Sequence, residues 1–336
     1  MQWRPGKVSK TADIDLLGAV NLALARAMKD DETTIVLGED VGANGGVFRA
    51  PDGLQEKFGA TRVLDTPLAE CAIAGIAVGV ATQGFRPIAE IQFAGFIYPV
   101  IDQMLNHASR LRTRTRGRLC CPMVLRAPYG GGVHAPEHQS DSPEALVAHI
   151  PGLRVVIPST PQRAYGLLLA AIRNPDPVIF LEPKRLYHAF KEEVTDDGKE
   201  LPLDQPVCLR QGQDLTLVTW GASTTEVLQA ANQLEAEGIS AEVIDVTSLS
   251  PLNDEPICAS VEKTGRCVVV HEAARTGGFG AEIVARIADR SLNFLLAPVR
   301  RVTGYDTVMP LPRLEAHYMP GLKQIVKTAR EVMELS

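Results

Sequence analysis

Twice along this chain, short apolar runs rich in Val, Ile and Leu alternate with stretches of helical period. In the first half "TTIVLGEDV", "RPIAEIQF", "PMVLR", "LRVVIP" and "PVIFLEP" read as strands. Helices fall between them. Leu16, Leu17, Val20, Leu24, Ala27 and Met28 recur on one helical face, with Asp13 or Asp15 as N-cap. A second helix runs from about Pro99 to Leu111, and "TPQRAYGLLLAAIR" opens on Thr160 and Pro161 as N-cap and first helical residue. Apolar strands joined by helices require a parallel sheet covered on both faces. From about Tyr187 to Asp214 the chain turns polar and aperiodic. The alternation then restarts with "DLTLVTW", a helix over 223–236, "SAEVIDV", a helix near 254–262, "RCVVVHE", a helix over 280–289, "VRRVTG" and a last helix near 321–333. The expectation is two α/β units, each a mainly parallel sheet flanked by helices: 1–190, a crossover over 191–213, and 214–336. A length of 336 residues, too great for one ordinary core, agrees with this.

Composition excludes several classes. Apolar residues at 45% and charged residues at 22% describe a globular chain rather than a disordered one. The net charge is −6, and no Lys/Arg block is dense enough for a nucleic-acid face. The densest, "RLRTRTRGR" (Arg110–Arg118), reads as a solvated cationic helix end followed by a loop; an interface or an acidic partner is the alternative. The six cysteines show no C-x-x-C spacing and read as reduced, mostly buried thiols. The opening "MQWRPGKVSKTADID" lacks both an apolar signal core and an Arg/Ser-rich presequence, and no apolar run reaches membrane-spanning length. The expectation is a cytoplasmic protein, or a matrix protein whose presequence has been removed, with neither nucleic acid nor membrane as partner.

The stretch "DTPLAECAIAGIAVGVATQG" sets a carboxylate, Glu70, at the head of a small, apolar run. Thr66 and Pro67 read as N-cap and first residue of a helix, which puts Glu70 near the fourth position, one place late for a capping box. A helix apolar on every side is a buried helix, and Gly75 and Gly79 would let another backbone approach closely. The carboxyl is therefore expected buried or half-buried, where it needs a partner or retains a proton. Two readings follow. One is a favourable interaction with the helix N-terminus. The other is a catalytic carboxyl that moves a proton or hydrogen-bonds a ligand.

Several segments taken in order favour the second. They are "LGEDVGANGGVFRAPDGLQEKFGATRVLDTPLAECAIAGIAVG", "RPIAEIQFAGFIYPVIDQM", "EHQSDSPEA", "PGLRVVIPSTP", "PVIFLEPKRLY" and "TGRCVVVHEAARTGGFGAEI". Together they closely resemble the β subunit of the thiamine-diphosphate-dependent 2-oxo acid dehydrogenases, over almost the whole chain. The resemblance implies a transketolase-like pyrimidine-binding domain followed by a transketolase C-terminal-like domain that serves assembly. It implies that Glu70 hydrogen-bonds ring nitrogen N1′ of thiamine diphosphate, which favours the imino form of the 4′-amino group and so the loss of the thiazolium C2 proton. By the same matching Phe96 packs against the pyrimidine, Leu68 lies near the cofactor, and His138 stands at the active-site channel, assisting the substrate or the lipoyl acceptor. Read alone, Phe96 is a core residue and His138 a surface histidine, although a Gly-rich loop after a strand is where α/β sites are built. A structural potassium ion would be held at Met123, Ala171, Asn174 and Asp176.

The family binds Mg²⁺ and the diphosphate through a Gly-Asp-Gly motif, which this chain lacks. The resemblance thus implies a separate α subunit, an α2β2 heterotetramer with shared sites, a small 2-oxo acid as substrate and a lipoyl-bearing acyltransferase core as acceptor. "FLEPKRLY", "VVHEAARTGGFGAEI" and "VTGYDTVMPLP" look most like the branched-chain members acting on 3-methyl-2-oxobutanoate, with pyruvate or acetoin as the alternative. A non-catalytic assembly subunit is the reading from another class; it has no need of Glu70, Phe96 and His138. "TGGFG" lacks dinucleotide and P-loop spacing and reads as a tight turn or subunit contact rather than a phosphate loop.

Overall fold

The computed structural model describes residues 10–335; the reading of the opening segment lies largely outside them. The strands in chain order are β1 (Lys10–Ile14), β2 (Thr34–Gly38), β3 (Val63–Asp65), β4 (Arg86–Glu90), β5 (Val124–Tyr129), β6 (Arg154–Val156) and β7 (Val178–Pro183), then β8 (Glu192–Asp196), β9 (Val207–Arg210), β10 (Leu215–Thr219), β11 (Ala241–Asp245), β12 (Ser248–Ser250), β13 (Cys267–Ala274) and β14 (Arg300–Gly304). They form a seven-stranded sheet ordered β12-β6-β7-β5-β4-β2-β3, a five-stranded sheet ordered β14-β13-β10-β11-β9, and an antiparallel pair, β1 with β8. All pairings within the two large sheets are parallel except those of β12 and β9 at the edges. This is the expected fold class.

Helix starts follow local chemistry. Helix Leu16–Asp30 begins at Asp15, whose carboxylate accepts from the Gly18 N–H at 2.9 Å. Helix Pro161–Arg173 begins at Thr160 with proline in its first turn. These two helices pack side by side on one face of the larger sheet and bury Leu16, Val20, Leu24, Leu168 and Ile172 there. Helix Glu70–Thr82 and the tight turns of Ala94–Val100 cover the other face. That second core runs on without a break into the smaller sheet, through Val218, Trp220, Ile244 and Val269.

The architecture departs from the sequence reading in several places. The crossover is not irregular: β8 pairs with β1, and β9 forms the edge of the smaller sheet. β12, well into the second half, returns to edge the first sheet against β6. The helix expected near Pro99 to Leu111 is broken into short turns, with Pro99 inside the first and a wide π turn at Met104–Ala108. In the basic stretch, Arg112 pairs with Asp176 at 2.7 Å, and Arg118 donates to the Thr115 carbonyl at 3.1 Å. Among the described residues, no helix is long and apolar enough to cross a membrane.

A buried charge cluster ties the middle of the larger sheet together. Arg126 on β5 donates from Nη1 to Glu90 on β4 at 2.7 Å, and from Nε and Nη2 to Glu182 on β7 at 2.7 and 3.0 Å. The Tyr187 hydroxyl donates to Glu182 at 2.6 Å. Side-chain exposure is 2% for Arg126 and 0% for Glu182. The cluster sits on three adjacent strands, β4, β5 and β7, of the larger sheet.

Candidate active site

β2 leads to β3 on one side, whereas its neighbour β4 leads to β5 on the other. Their connections diverge at the C-terminal edge of the sheet, the place where open α/β sheets bind ligands. Glu39 directly follows β2, Leu68 and Glu70 follow β3, Phe96 follows β4, and His138 follows β5. Four neighbouring strands therefore deliver all the expected organic-site residues to one edge.

Glu70 is half-buried and is the first residue of its helix, not the fourth. The Thr66 N–H donates to the Gly38 carbonyl at 3.0 Å, which commits residue 66 to pairing with β2 rather than to capping. The helix starts after Ala69 with no side-chain cap. A carboxylate in the first turn is favoured by the helix dipole, yet no side chain among the described residues pairs with it. The helix is also not enclosed on all sides. Cys71, Ala72, Ile76 and Gly79 face outward, Gly75 meets the Gln103 side chain, and Gly79 meets open space. Leu68, on the turn before the helix, is 68% exposed.

The helix packs against Ala94–Val100, which carries Phe96. The half-buried Phe96 ring meets Phe93 edge-on at 5.6 Å and stacks with the His138 imidazole at 5.9 Å and 21°. Gly95 lies against the His138 backbone, where an added Cβ would collide. Glu39 was not read from the sequence; "GED" after an apolar strand was its one signal. Burial pushes its carboxyl up, and the negative charges of Asp40 and Glu70 push it further. Asp65 at the end of β3 holds the loop after β2 by accepting from the Gly42 N–H at 2.6 Å.

These residues fit an aminopyrimidine: a half-buried, unpaired carboxyl to meet a ring nitrogen and an aromatic face beside it. Among the described residues, no group of three or more His, Cys, Asp or Glu side chains is placed to hold a metal. Met123, Ala171, Asn174 and Asp176 do gather. The Val178 N–H donates to the Met123 carbonyl at 3.0 Å, and the Asn174 N–H to the Ala171 carbonyl at 3.2 Å. The Asp176 N–H donates to Asn174 Oδ1 at 2.9 Å. But Arg86 donates to the carbonyls of Ile172 at 2.9 Å and Asn174 at 3.4 Å, and Arg112 takes the Asp176 carboxylate. Two guanidiniums therefore already lie against this group of residues.

The "TGGFG" loop has a packing role. Gly278 and Gly280 close over the buried His271 ring, which stacks on Trp220 at 5.1 Å and 12°. Any Cβ at either glycine would strike that ring. Burial, with Arg301 nearby, pulls His271 down to about 3, so it is neutral. Beside Trp220 lies Glu144, 1% exposed, with neither carboxylate oxygen hydrogen-bonded. Burial, reinforced by the charge of Glu272, raises Glu144 to about 7. A folded-state value above the ordinary 4.5 means that its stabilising contribution is full below 4.5 and is lost as pH rises through about 7. Glu144→Gln should therefore raise the thermal midpoint more at pH 8 than at pH 5, with a gain at pH 8 of up to about 3 kcal/mol. Equal shifts at the two pH values would remove the buried acid from the account.

Residues 12–189 match the family described as transketolase, pyrimidine binding domain, and residues 205–325 match transketolase, C-terminal domain. The chain is 50% identical over 323 residues to a pyruvate dehydrogenase E1 component subunit beta of Bacillus subtilis, covering 96% of this chain and 99% of the relative. It is 49% identical over 321 residues to the protein of that name in Acholeplasma laidlawii, covering 96% and 98%. Among solved structures, a split-gene transketolase described as an inactive beta4 tetramer superposes with a TM-score of 0.78 over 96% of this chain and 99% of that one; at 24% identity the likeness concerns the fold.

The relatives overturn the branched-chain expectation, since those at 44–50% identity are named for pyruvate dehydrogenase. The physical reason is plain in the segments that carried it. In "FLEPKRLY" Glu182 binds Arg126 and Lys184 donates to the Gln139 carbonyl; in "VVHEAARTGGFGAEI" Glu272 accepts from the Gly131 N–H and the glycines cover His271. These residues build the scaffold and say little about substrate size. The chain belongs to the β-subunit family of the thiamine-diphosphate-dependent 2-oxo acid dehydrogenases.

Proposed function

We propose that this chain is the β half of a pyruvate-decarboxylating component that works only with an α polypeptide. The observation that carries the reading is a site assembled on one side and open on the other. Glu70, Phe96 and His138 converge at the sheet edge, while Leu68 at 68% and Ile76 at 51% exposure leave apolar surface uncovered beside them. Apolar surface rimming polar site residues marks a place that a partner covers. In this reading residues 1–190 form the pyrimidine-binding unit and 214–336 the C-terminal unit. Glu70 holds a proton at N1′ of the aminopyrimidine, Phe96 supports the ring, Leu68 lines its surroundings, and His138 guards the mouth. The diphosphate and Mg²⁺ are held by the α partner in an α2β2 assembly, and the acyl group passes to a lipoyl-bearing acyltransferase core. Thiamine diphosphate, when bound, supplies the electron sink for loss of carbon dioxide.

The chain alone should show no 2-oxo acid decarboxylation. Mixed with an α polypeptide carrying Gly-Asp-Gly, Mg²⁺ and thiamine diphosphate, it should turn over pyruvate with a kcat/KM at least about tenfold above that for 3-methyl-2-oxobutanoate, a difference of about 1.4 kcal/mol. Turnover by the isolated chain would refute the shared site. A preference for the branched substrate in the reconstituted enzyme would refute the pyruvate reading.

A further inference from the structure

The loop that carries His138 is held by carboxylates from the second half of the chain. It leaves β5 at Tyr129 with a backbone that alternates between hands: Gly130, Gly132 and His134 have φ of 86°, 83° and 56°. Such alternation turns successive N–H groups toward one side and makes a concave nest for an anion. Here the anion is internal. Glu315 accepts from the Gly132 N–H through Oε1 at 2.8 Å and from the His134 N–H through Oε2 at 3.0 Å. The same Oε2 lies 2.8 Å from Nδ1 of His134. Glu272 on β13 accepts from the Gly131 N–H at 3.1 Å. Glu315 is 1% exposed, although it sits on the short helix Pro312–Tyr318, whose Pro312, Arg313 and Leu314 are exposed. Met309 and Met319 pack beneath Gly131.

At its other end the loop lies against the first unit, with the His138 backbone on Gly95 and its ring on Phe96. His134 keeps a positive φ, which disfavours a residue with a side chain unless neighbours hold it there. Glu315 meets that need twice, at the N–H and at the ring of the same residue. Only Ala135, Pro136 and Glu137 separate that anchor from His138.

We propose that Glu315, assisted by Glu272, is a positioning residue for His138: through backbone N–H groups the C-terminal unit fixes the loop that presents the imidazole to the site. This rests on the reading of His138 given above. It makes the C-terminal unit a part of the active site's construction as well as of its assembly.

The test has two arms. In the full chain, Glu315→Gln should speed amide exchange at Gly132 and His134 at least about tenfold while β10 amides keep their protection. Glu315→Asp, with its charge kept on a shorter arm, should fall between Gln and wild type, and it serves as the second variant if Gln disturbs folding. In the assembled enzyme, Glu315→Gln should lower kcat by about tenfold, and adding it to His138→Ala should cause no further loss. Unchanged exchange at the two loop amides would overturn the hold. Losses that multiply in the double variant would overturn action through His138. Wild-type turnover by His138→Ala would overturn both the catalytic half of the proposal and the earlier reading of His138. The exchange arm uses no activity, so it separates that failure from a failure of the anchor.

Discussion

Glu70→Gln should leave the assembled enzyme intact and nearly inert, with turnover down by about 10²- to 10⁴-fold, the usual worth of a positioned proton donor or acceptor. Gln fills the same volume and keeps a hydrogen-bonding oxygen, but it cannot exchange a proton with a ring nitrogen. The two readings of this carboxylate separate here. If Glu70 only complements the helix dipole, the variant loses about 0.3–1 kcal/mol of stability and keeps its turnover. If it holds a proton at the aminopyrimidine, stability barely moves and turnover collapses. The position found, first residue of the helix and half-buried without a partner, makes the second outcome the expected one. Steady-state kinetics on the reconstituted enzyme, with circular dichroism and gel filtration as controls, decides; activity within twofold of wild type sinks the assignment.

The second large effect is on stability. Arg126→Leu should destabilise the chain by about 3–5 kcal/mol, because it leaves two buried carboxylates facing each other without a counter-charge. Glu90 is already pushed up by burial, and Arg126 is the charge that pulls it back. The variant should therefore be least stable at high pH and recover partly in acid, where both carboxyls take protons. Replacing all three charged residues with apolar ones should restore most of the loss, since an intact buried ion cluster often adds little over good packing. A loss below about 1 kcal/mol for Arg126→Leu by thermal or denaturant unfolding would show that water reaches the cluster.

The fold class was legible because strands buried on both faces are written in short apolar runs rich in Val, Ile and Leu, repeated in alternation with helical stretches. The elements missed were those whose existence depends on distant partners. β12 has only three residues and forms because β6 offers an open edge. β8 and β9 lie in a polar stretch without alternation, and pair with strands far away in sequence. Thr66 and Pro67 looked like a helix start, yet the backbone there is still bound to β2. The site followed the same division. Glu70 stood out as a charge in an apolar run, and Phe96 and His138 entered through resemblance. Glu272 and Glu315 carried no such mark, and Glu39 only its place after an apolar strand. Each is an ordinary acidic residue locally, and its role comes from groups as much as 183 positions away.

β12 also limits how this protein can be divided. The boundary drawn by sequence continuity and the boundary drawn by hydrogen bonding do not coincide, since Ser248–Ser250 belongs to the later half by order and to the earlier sheet by pairing. A fragment ending at the crossover would keep β6 with a bare edge of unpaired N–H and C=O groups, a template for association with other chains. Shuffling the two units among relatives would carry the same hazard unless that three-residue return travelled with the larger sheet.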